Sequence, residues 1–206
     1  MTQNSERFTV IVEGNIGCGK STFLRYFEKL SENIEVSQEP FYLWMDARGH
    51  NLFELIYMDP KRWAMPFQAQ ILVTLLDREI KPQTAPVRLV ERSVYSSRYC
   101  FVEKLHADGN ISVADHKALT GVFNWAIGRK ARPIDLIEHV NIQSFSEPNE
   151  EYVQALHDLY EAWLVEQRFG PLPAPILIID CDASLPQMLA EYRARQTEVM
   201  CGVPLE

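Results

Sequence analysis

A chain of 206 residues, 47% hydrophobic and 23% charged, is long enough for one sizeable core. Its net charge of −8 argues against a general binder of nucleic acids or membrane surfaces, which are themselves polyanions. Cys18, Cys100, Cys181 and Cys201 are scattered with no C-x-x-C pair, as expected of reduced thiols inside a cell rather than a disulfide frame or zinc site.

No apolar run is long enough to span a membrane. Met1 to Arg7 reads neither as a secretory signal nor as an Arg-rich transit peptide. The expected compartment is intracellular: the cytosol, or the mitochondrion if a presequence has been removed. Neither membrane nor nucleic acid is expected as a partner. With no internal repeat or low-complexity stretch, residues 1–206 read as one domain.

Phe8 to Glu13 is an apolar, β-rich run that reads as a buried strand. Gly14-Asn15-Ile16-Gly17-Cys18-Gly19-Lys20-Ser21 follows and fits G-x-x-x-x-G-K-[ST]; Thr22 to Leu30 then has apolar residues at helical spacing. Strand, glycine loop and helix in that order is the setting a phosphate-binding loop needs. The glycines let backbone amides turn inward around a polyphosphate, and the helix start adds its positive dipole end. Lys20 is placed for the β- and γ-phosphates, and the Ser21 hydroxyl for Mg²⁺.

Ile34 to Gln38 reads as a second strand, closed by Glu39-Pro40, and Phe41 to Trp44 is aromatic. Helices are expected over Asn51 to Met58 and over Trp63 to Asp77, the latter entered through Pro66. After the polar loop Lys81 to Pro86 comes a strand, Val87 to Val90, that delivers Glu91-Arg92-Ser93. Helices follow over Val94 to His106 and Asp115 to Ile127, separated by a turn at Ala107 to Asn110. Ile134 to Val140 is a strand candidate, and Glu150 to Arg168 is an amphipathic helix broken by Pro171, Pro173 and Pro175. Ile176 to Ile179 is a buried strand, and Leu185, Met188, Leu189 and Tyr192 mark a last helix.

Strands alternating with helices indicate an α/β fold with a parallel sheet covered on both faces. Ligands of such sheets sit beyond the C-terminal strand ends, where the glycine loop, Glu39 and Glu91-Arg92-Ser93 all fall. Glu39 is a candidate general base, or else an exposed loop carboxylate. Glu91 is a candidate Mg²⁺ ligand and Arg92 a candidate holder of substrate or of the transferring phosphoryl group; the pair could equally be a salt bridge beside the next helix. Gln68 carries a donor and an acceptor side by side, which suits a nucleobase edge as well as it suits solvent.

Taken together, these stretches resemble the deoxyribonucleoside kinase family, of the thymidine kinase 2 and insect multisubstrate type. The resemblance is carried by Glu13 to Ser21, Glu39-Pro40 with Trp44, Tyr57-Met58-Asp59-Pro60, Trp63-Ala64-Met65-Pro66-Phe67-Gln68, Glu91-Arg92-Ser93, Arg98 to Glu103 and Trp163-Leu164, in order along most of the chain. It implies a three-layer P-loop sandwich of about five parallel strands, dimeric through helices, that transfers phosphate from ATP to the 5′-hydroxyl of a deoxyribonucleoside. Pyrimidines such as thymidine and deoxycytidine are favoured, with feedback inhibition by deoxynucleoside triphosphates an accompanying expectation.

By the same resemblance Gly14, Asn15, Ile16, Gly17, Cys18, Gly19, Lys20, Ser21 and Thr22 hold ATP, and Ser21 and Glu91 hold Mg²⁺. Glu39 is the base, assisted by Arg92 and with Lys20 on the phosphates; Gln68 pairs with the base edge and Phe101 stacks on it. Trp44, Phe67, Ile56, Ile71 and Leu75 line the cleft, and Tyr57 meets the sugar 3′-hydroxyl. Ser97 stands where alanine is expected in broad-specificity members.

The sequence departs from the family at the lid. The connection from Ile137 to Glu150 is roughly a dozen residues shorter than the pattern of arginine-bearing lids that close on ATP, and no Lys or Arg lies between Arg132 and Arg168. Ser146-Glu147 reads as a remnant of the lid's acidic end, with Glu147 as a sugar ligand. Loss of such cations lowers phosphoryl transfer by about 10³–10⁵ in related chemistry. Arg193 and Arg195, or Arg129, Lys130 and Arg132, are the conceivable replacements. The rival expectation is thus a relative that binds nucleoside with little turnover. A deoxynucleotide kinase of the thymidylate kinase kind is a further alternative, but it needs a cationic substrate-phosphate site that the sequence does not assign.

Overall fold

The computed structural model describes residues 6–129, 133–141 and 150–205. These divide into two compact units. The first spans residues up to Gln38, Pro82–Arg92 and the chain from Pro133 onward; the second spans Glu39–Lys81 and Ser93 onward to residue 132.

The first unit is the sheet. Strands β1 (Phe8–Glu13), β2 (Ile34–Ser37), β3 (Val87–Glu91), β4 (Leu136–Asn141) and β5 (Ile176–Asp180) run in the order β2-β3-β1-β4-β5. Every pairing is parallel, with Val10 opposite Leu89 and Leu136. The central strands read as apolar runs because they are covered on both faces. Val10, Val12, Leu89, Val140 and Ile179 pack on helix α1 (Lys20–Glu28) and, through Tyr192 and Val199, on the last helix of the chain, Leu185–Val199. That last helix runs beyond Tyr192 because a reciprocal Ser184–Gln187 capping box starts it and Val199 and Met200 are buried. Helix Glu150–Leu164 buries Val153, Leu156, Tyr160 and Trp163 and ends four residues before Arg168.

The second unit is helical. Helices α2 (Tyr42–Met45), α3 (Leu52–Met58) and α4 (Pro60–Ile80) come first. After Ser93 come α5 (Val94–Ser96), a π-helical turn (Ser97–Val102), α6 (Glu103–Ala107) and α7 (Val113–Arg129). The helix of Glu150–Leu164 is α8 and that of Leu185–Val199 is α9. Trp44, Phe67, Ile71, Leu75, Val94 and Phe123 form one core of this unit, and Ala64, Val102, Leu105, Ile111 and Leu119 another.

One expectation changes in this unit. Pro66 lies inside α4 rather than at its entry; Asp59 caps the helix by accepting the Arg62 amide, and Pro60 fills its first turn. The span Val94 to His106 is helical throughout, as expected, with the π-helical turn Ser97–Val102 in its middle. The aromatic stretch after Pro40 forms a short helix, with the Trp44 indole donating to Thr74 Oγ1 at 2.9 Å.

Candidate active site

The glycine loop connects β1 to α1, as its motif requires. At Gly14, φ is 144°, and a Cβ there would lie 2.4 Å from the Val140 carbonyl oxygen and 2.7 Å from Cys18 Sγ, so only glycine fits against β4. Gly19 takes the left-handed conformation at the N-cap of α1, which leaves the first amides of the helix open to an anion. Lys20 is 5% exposed. Its ammonium donates to the carbonyls of Gly14 at 3.0 Å and Asn15 at 2.5 Å, with Cys18 Sγ 3.6 Å away.

Asn15 ties the loop down, which the motif alone does not reveal. Its Nδ2 donates to the Val153 carbonyl of α8 at 2.8 Å, while its Oδ1 accepts the Ile16 amide at 2.8 Å. Nothing in the sequence pointed to Val153, because the partner is a backbone carbonyl 138 residues away.

Ser21 and Glu91 do meet: the Ser21 hydroxyl donates to Glu91 Oε1 at 3.3 Å. Two hard oxygen donors this close fit Mg²⁺, which takes one or two protein oxygens and completes its shell with phosphates and water. No group of three or more His, Cys, Asp or Glu side chains among the described residues competes as a metal cage. Glu91 ends β3, and Arg92 follows in the left-handed region (φ 53°) with its amide donating to the Val12 carbonyl at 3.0 Å. A non-glycine residue held there is a local strain of the kind found at functional turns.

Beside the loop, β4 carries two buried titratable groups. Burial pushes Glu138 up to about 9, with Arg195 pulling the other way and Glu198 and Glu191 adding to the rise. Burial, then His157 and Lys20, hold His139 down to about 4. Both are neutral near pH 7.

In the second unit, Gln68 is 2% exposed on α4, and the Ser97 hydroxyl donates to its Oε1 at 3.3 Å. That bond orients an amide which the sequence could only name. Trp44 and Phe67 meet edge-to-face at 6.0 Å, with Ile71, Leu75 and the partly buried Ile56 in the same core. Tyr57 is 71% exposed, and Phe101 is partly buried in the π-helical turn. Glu39 opens this unit, partly buried, with its carbonyl accepting the Phe41 amide at 2.8 Å.

Lys130, Arg132, Ser146 and Glu147 lie outside the described residues. Of the conceivable lid replacements, Arg195 pairs with Glu191 and Glu198 on its own helix, Arg193 is exposed on α9, and Arg129 is exposed at the end of α7.

The family profile described as Deoxynucleoside kinase matches residues 10–203. Human mitochondrial thymidine kinase 2 is 34% identical over 213 aligned residues, covering 96% of this chain and 80% of that protein. Chicken (Gallus gallus) deoxycytidine kinase 2 is 30% identical, with 83% of this chain and 81% of that protein aligned. Deoxyguanosine kinase, mitochondrial, of Xenopus laevis is 28% identical over 76% of this chain and 72% of that protein. With a phosphate loop on a five-stranded parallel sheet and a family profile spanning nearly the whole sequence, this chain belongs to the deoxynucleoside kinase family.

Proposed function

We propose that this chain phosphorylates the 5′-hydroxyl of deoxyribonucleosides with ATP, as an enzyme of nucleoside salvage, with residues 1–206 acting as one kinase domain. The observation that carries the reading is the loop Gly14–Ser21, with Lys20 at its centre and Ser21 bonded to Glu91. The reaction is ATP + deoxynucleoside → ADP + deoxynucleoside 5′-monophosphate. The new P–O bond forms at O5′, the bond from the γ-phosphorus to the β–γ bridging oxygen breaks, and the 5′-hydroxyl proton goes to Glu39.

Backbone amides of the loop bind the phosphates, and Lys20 exchanges its Gly14 and Asn15 carbonyls for phosphate oxygens. Ser21 and Glu91 would hold Mg²⁺, which would neutralise phosphate charge. Arg92 steadies the hydroxyl end of the substrate. Gln68, backed by Ser97, reads the base edge; Phe101, Trp44 and Phe67 flank the base, Ile56, Ile71 and Leu75 fill behind it, and Tyr57 meets the sugar. An amide that can pair with either pyrimidine by turning over, held by a hydroxyl able to donate or accept, supports thymidine and deoxycytidine as substrates.

The relatives matched over most of the chain are themselves named as kinases, so the rival reading of a binding protein with little turnover is not favoured. Four free thiols support an intracellular location. No helix among the described residues is long and apolar enough to cross a membrane. Exposed Val73 and Ile80 on α4 and Val122 and Trp125 on α7 offer an apolar face for a homodimer, and light scattering that returned a monomer at assay concentration would exclude it. A deoxynucleoside triphosphate carries both a base and a polyphosphate, which supports it as a feedback inhibitor.

The test is ATP-dependent phosphorylation of thymidine, deoxycytidine, deoxyadenosine and deoxyguanosine, with binding measured on the same sample. Turnover of about 1–100 s⁻¹ is the kinase expectation; binding without turnover would return the non-enzymatic reading. Glu39→Gln is expected to abolish turnover and leave nucleoside Kd unchanged. Lost binding with normal turnover of whatever binds would remove Glu39 from the role of base.

A further inference from the structure

We propose that Glu79, in the last turn of α4, is a positioning residue for nucleoside binding: its carboxylate takes the Val94 amide and thereby fixes the turn that carries Ser97 against Gln68. This rests on the nucleoside reading above.

The segment after Ser93 opens with amides that side chains satisfy one by one. The Ser93 amide donates to Ser96 Oγ at 3.3 Å, and the Tyr95 amide donates to Ser93 Oγ at 3.1 Å. The Val94 amide goes to Glu79. Val94 is fully buried, so removing that acceptor strips a desolvated amide of the partner it has here. The Ser97 amide then bonds the Ser93 carbonyl at 3.3 Å, which carries the alignment to the hydroxyl that holds Gln68 Oε1. Glu79 and Gln68 lie about three helical turns apart on α4 and so point to the same side of it. One helix therefore grips the same short segment at two places, and the sequence offered no sign of the second grip.

The charge state of Glu79 gives the device a pH range. Burial pushes its carboxyl up to about 7, while the Arg78 charge and the Val94 amide pull it down. Arg78 on α4 and Tyr95 on α5 are the charged and titratable groups that face it. The ionised form is the stronger acceptor, so nucleoside affinity falls as pH drops through about 7. The folding linkage of the same group has the opposite sign. A carboxyl raised in the folded state contributes stability that is fully present below its unfolded value of 4.5 and is lost as pH rises through about 7. Weaker binding at acid pH without a lower contribution to stability is therefore a signature that a merely structural carboxylate would not give.

The experiment is calorimetric binding of thymidine without ATP, from about pH 6 to about pH 8.5, with thermal unfolding across the same range. Wild type is expected to lose affinity several-fold towards the acid end. Glu79→Gln keeps an acceptor but cannot titrate, so its affinity is expected to be flat with pH. Glu79→Leu is expected to bind about tenfold more weakly throughout. Wild-type affinity in Glu79→Leu, or an undiminished pH dependence in Glu79→Gln, would overturn the positioning role alone. A wild-type chain that binds no deoxynucleoside at any pH would overturn the nucleoside reading and this role with it.

Discussion

At the scale of single residues, the amide proposed to read the base is the most exacting position. Gln68 is buried and its Oε1 accepts the Ser97 hydroxyl, a partner that can hold the amide either way round. Gln68→Leu leaves that hydroxyl without its acceptor and the base edge unpaired. The expected loss for thymidine and for deoxycytidine is about 1–3 kcal/mol each, or roughly ten- to a hundredfold in Kd. Equal affinities in wild type and variant for both nucleosides would take Gln68 out of the pocket. Lys20 and Ser21 were legible from the motif, because a phosphate loop is a local device whose spacing encodes its geometry, whereas Glu91, 70 positions on, was legible only as a carboxylate at a strand end. The Ser97–Gln68 bond was not legible, since it joins residues 29 positions apart through a π-helical turn that no periodicity announces.

At the scale of elements, the sheet edge shows how side chains replace ladder bonds. Glu35 on β2 accepts the Thr84 amide at 2.7 Å, the Ala85 amide at 3.1 Å, the Thr84 hydroxyl and the Arg88 guanidinium of β3. Arg88 also donates to the Pro82 carbonyl at 2.6 Å. Burial alone would raise the Glu35 carboxyl, but the Thr84, Arg88 and Ala85 bonds outweigh it and hold it low. Its stabilising contribution is thus present above the ordinary carboxylate value and is lost as pH falls through the depressed one. Glu35→Ala strands a mostly buried guanidinium, so the expected loss is about 3 kcal/mol near pH 7, shrinking towards acid in urea titrations. A loss that stays constant with pH would mean the bonds to Glu35 contribute little. The strands themselves were readable because parallel, doubly covered strands are apolar runs. The helices of the second unit were less so: Pro66 looked like an entry and is an interior residue, since Asp59 had already capped α4 and tertiary burial of Ala64, Phe67 and Ile71 carries the helix through.

At the scale of the whole molecule, a few charged side chains among the described residues are buried, Glu13, Lys20, Arg78, Arg88, Glu91 and Glu138, and Glu138 has consequences for stability. It occupies the middle of β4, opposite Val12 and Leu177, and it is fully buried. Neither carboxyl oxygen has a hydrogen-bond partner among the described residues. Desolvation therefore dominates and raises the group to about 9; Arg195 opposes this, and Glu198 and Glu191 add to it. A carboxyl raised in the folded state contributes stability that is fully present below its unfolded value of 4.5 and is lost as pH rises through about 9. Each unit of pH between those limits costs at most about 1.4 kcal/mol. Glu138→Leu removes the titration and keeps an apolar side chain of similar reach, so it is expected to gain stability relative to wild type as pH rises from 4.5, by an amount that grows up to about pH 9 and then levels off. Urea unfolding of both chains at several pH values measures this difference directly. A stability gap that does not change between about pH 6 and about pH 9 would mean that Glu138 titrates alike in the folded and unfolded chain, and that the sheet tolerates an ionised carboxylate at its centre.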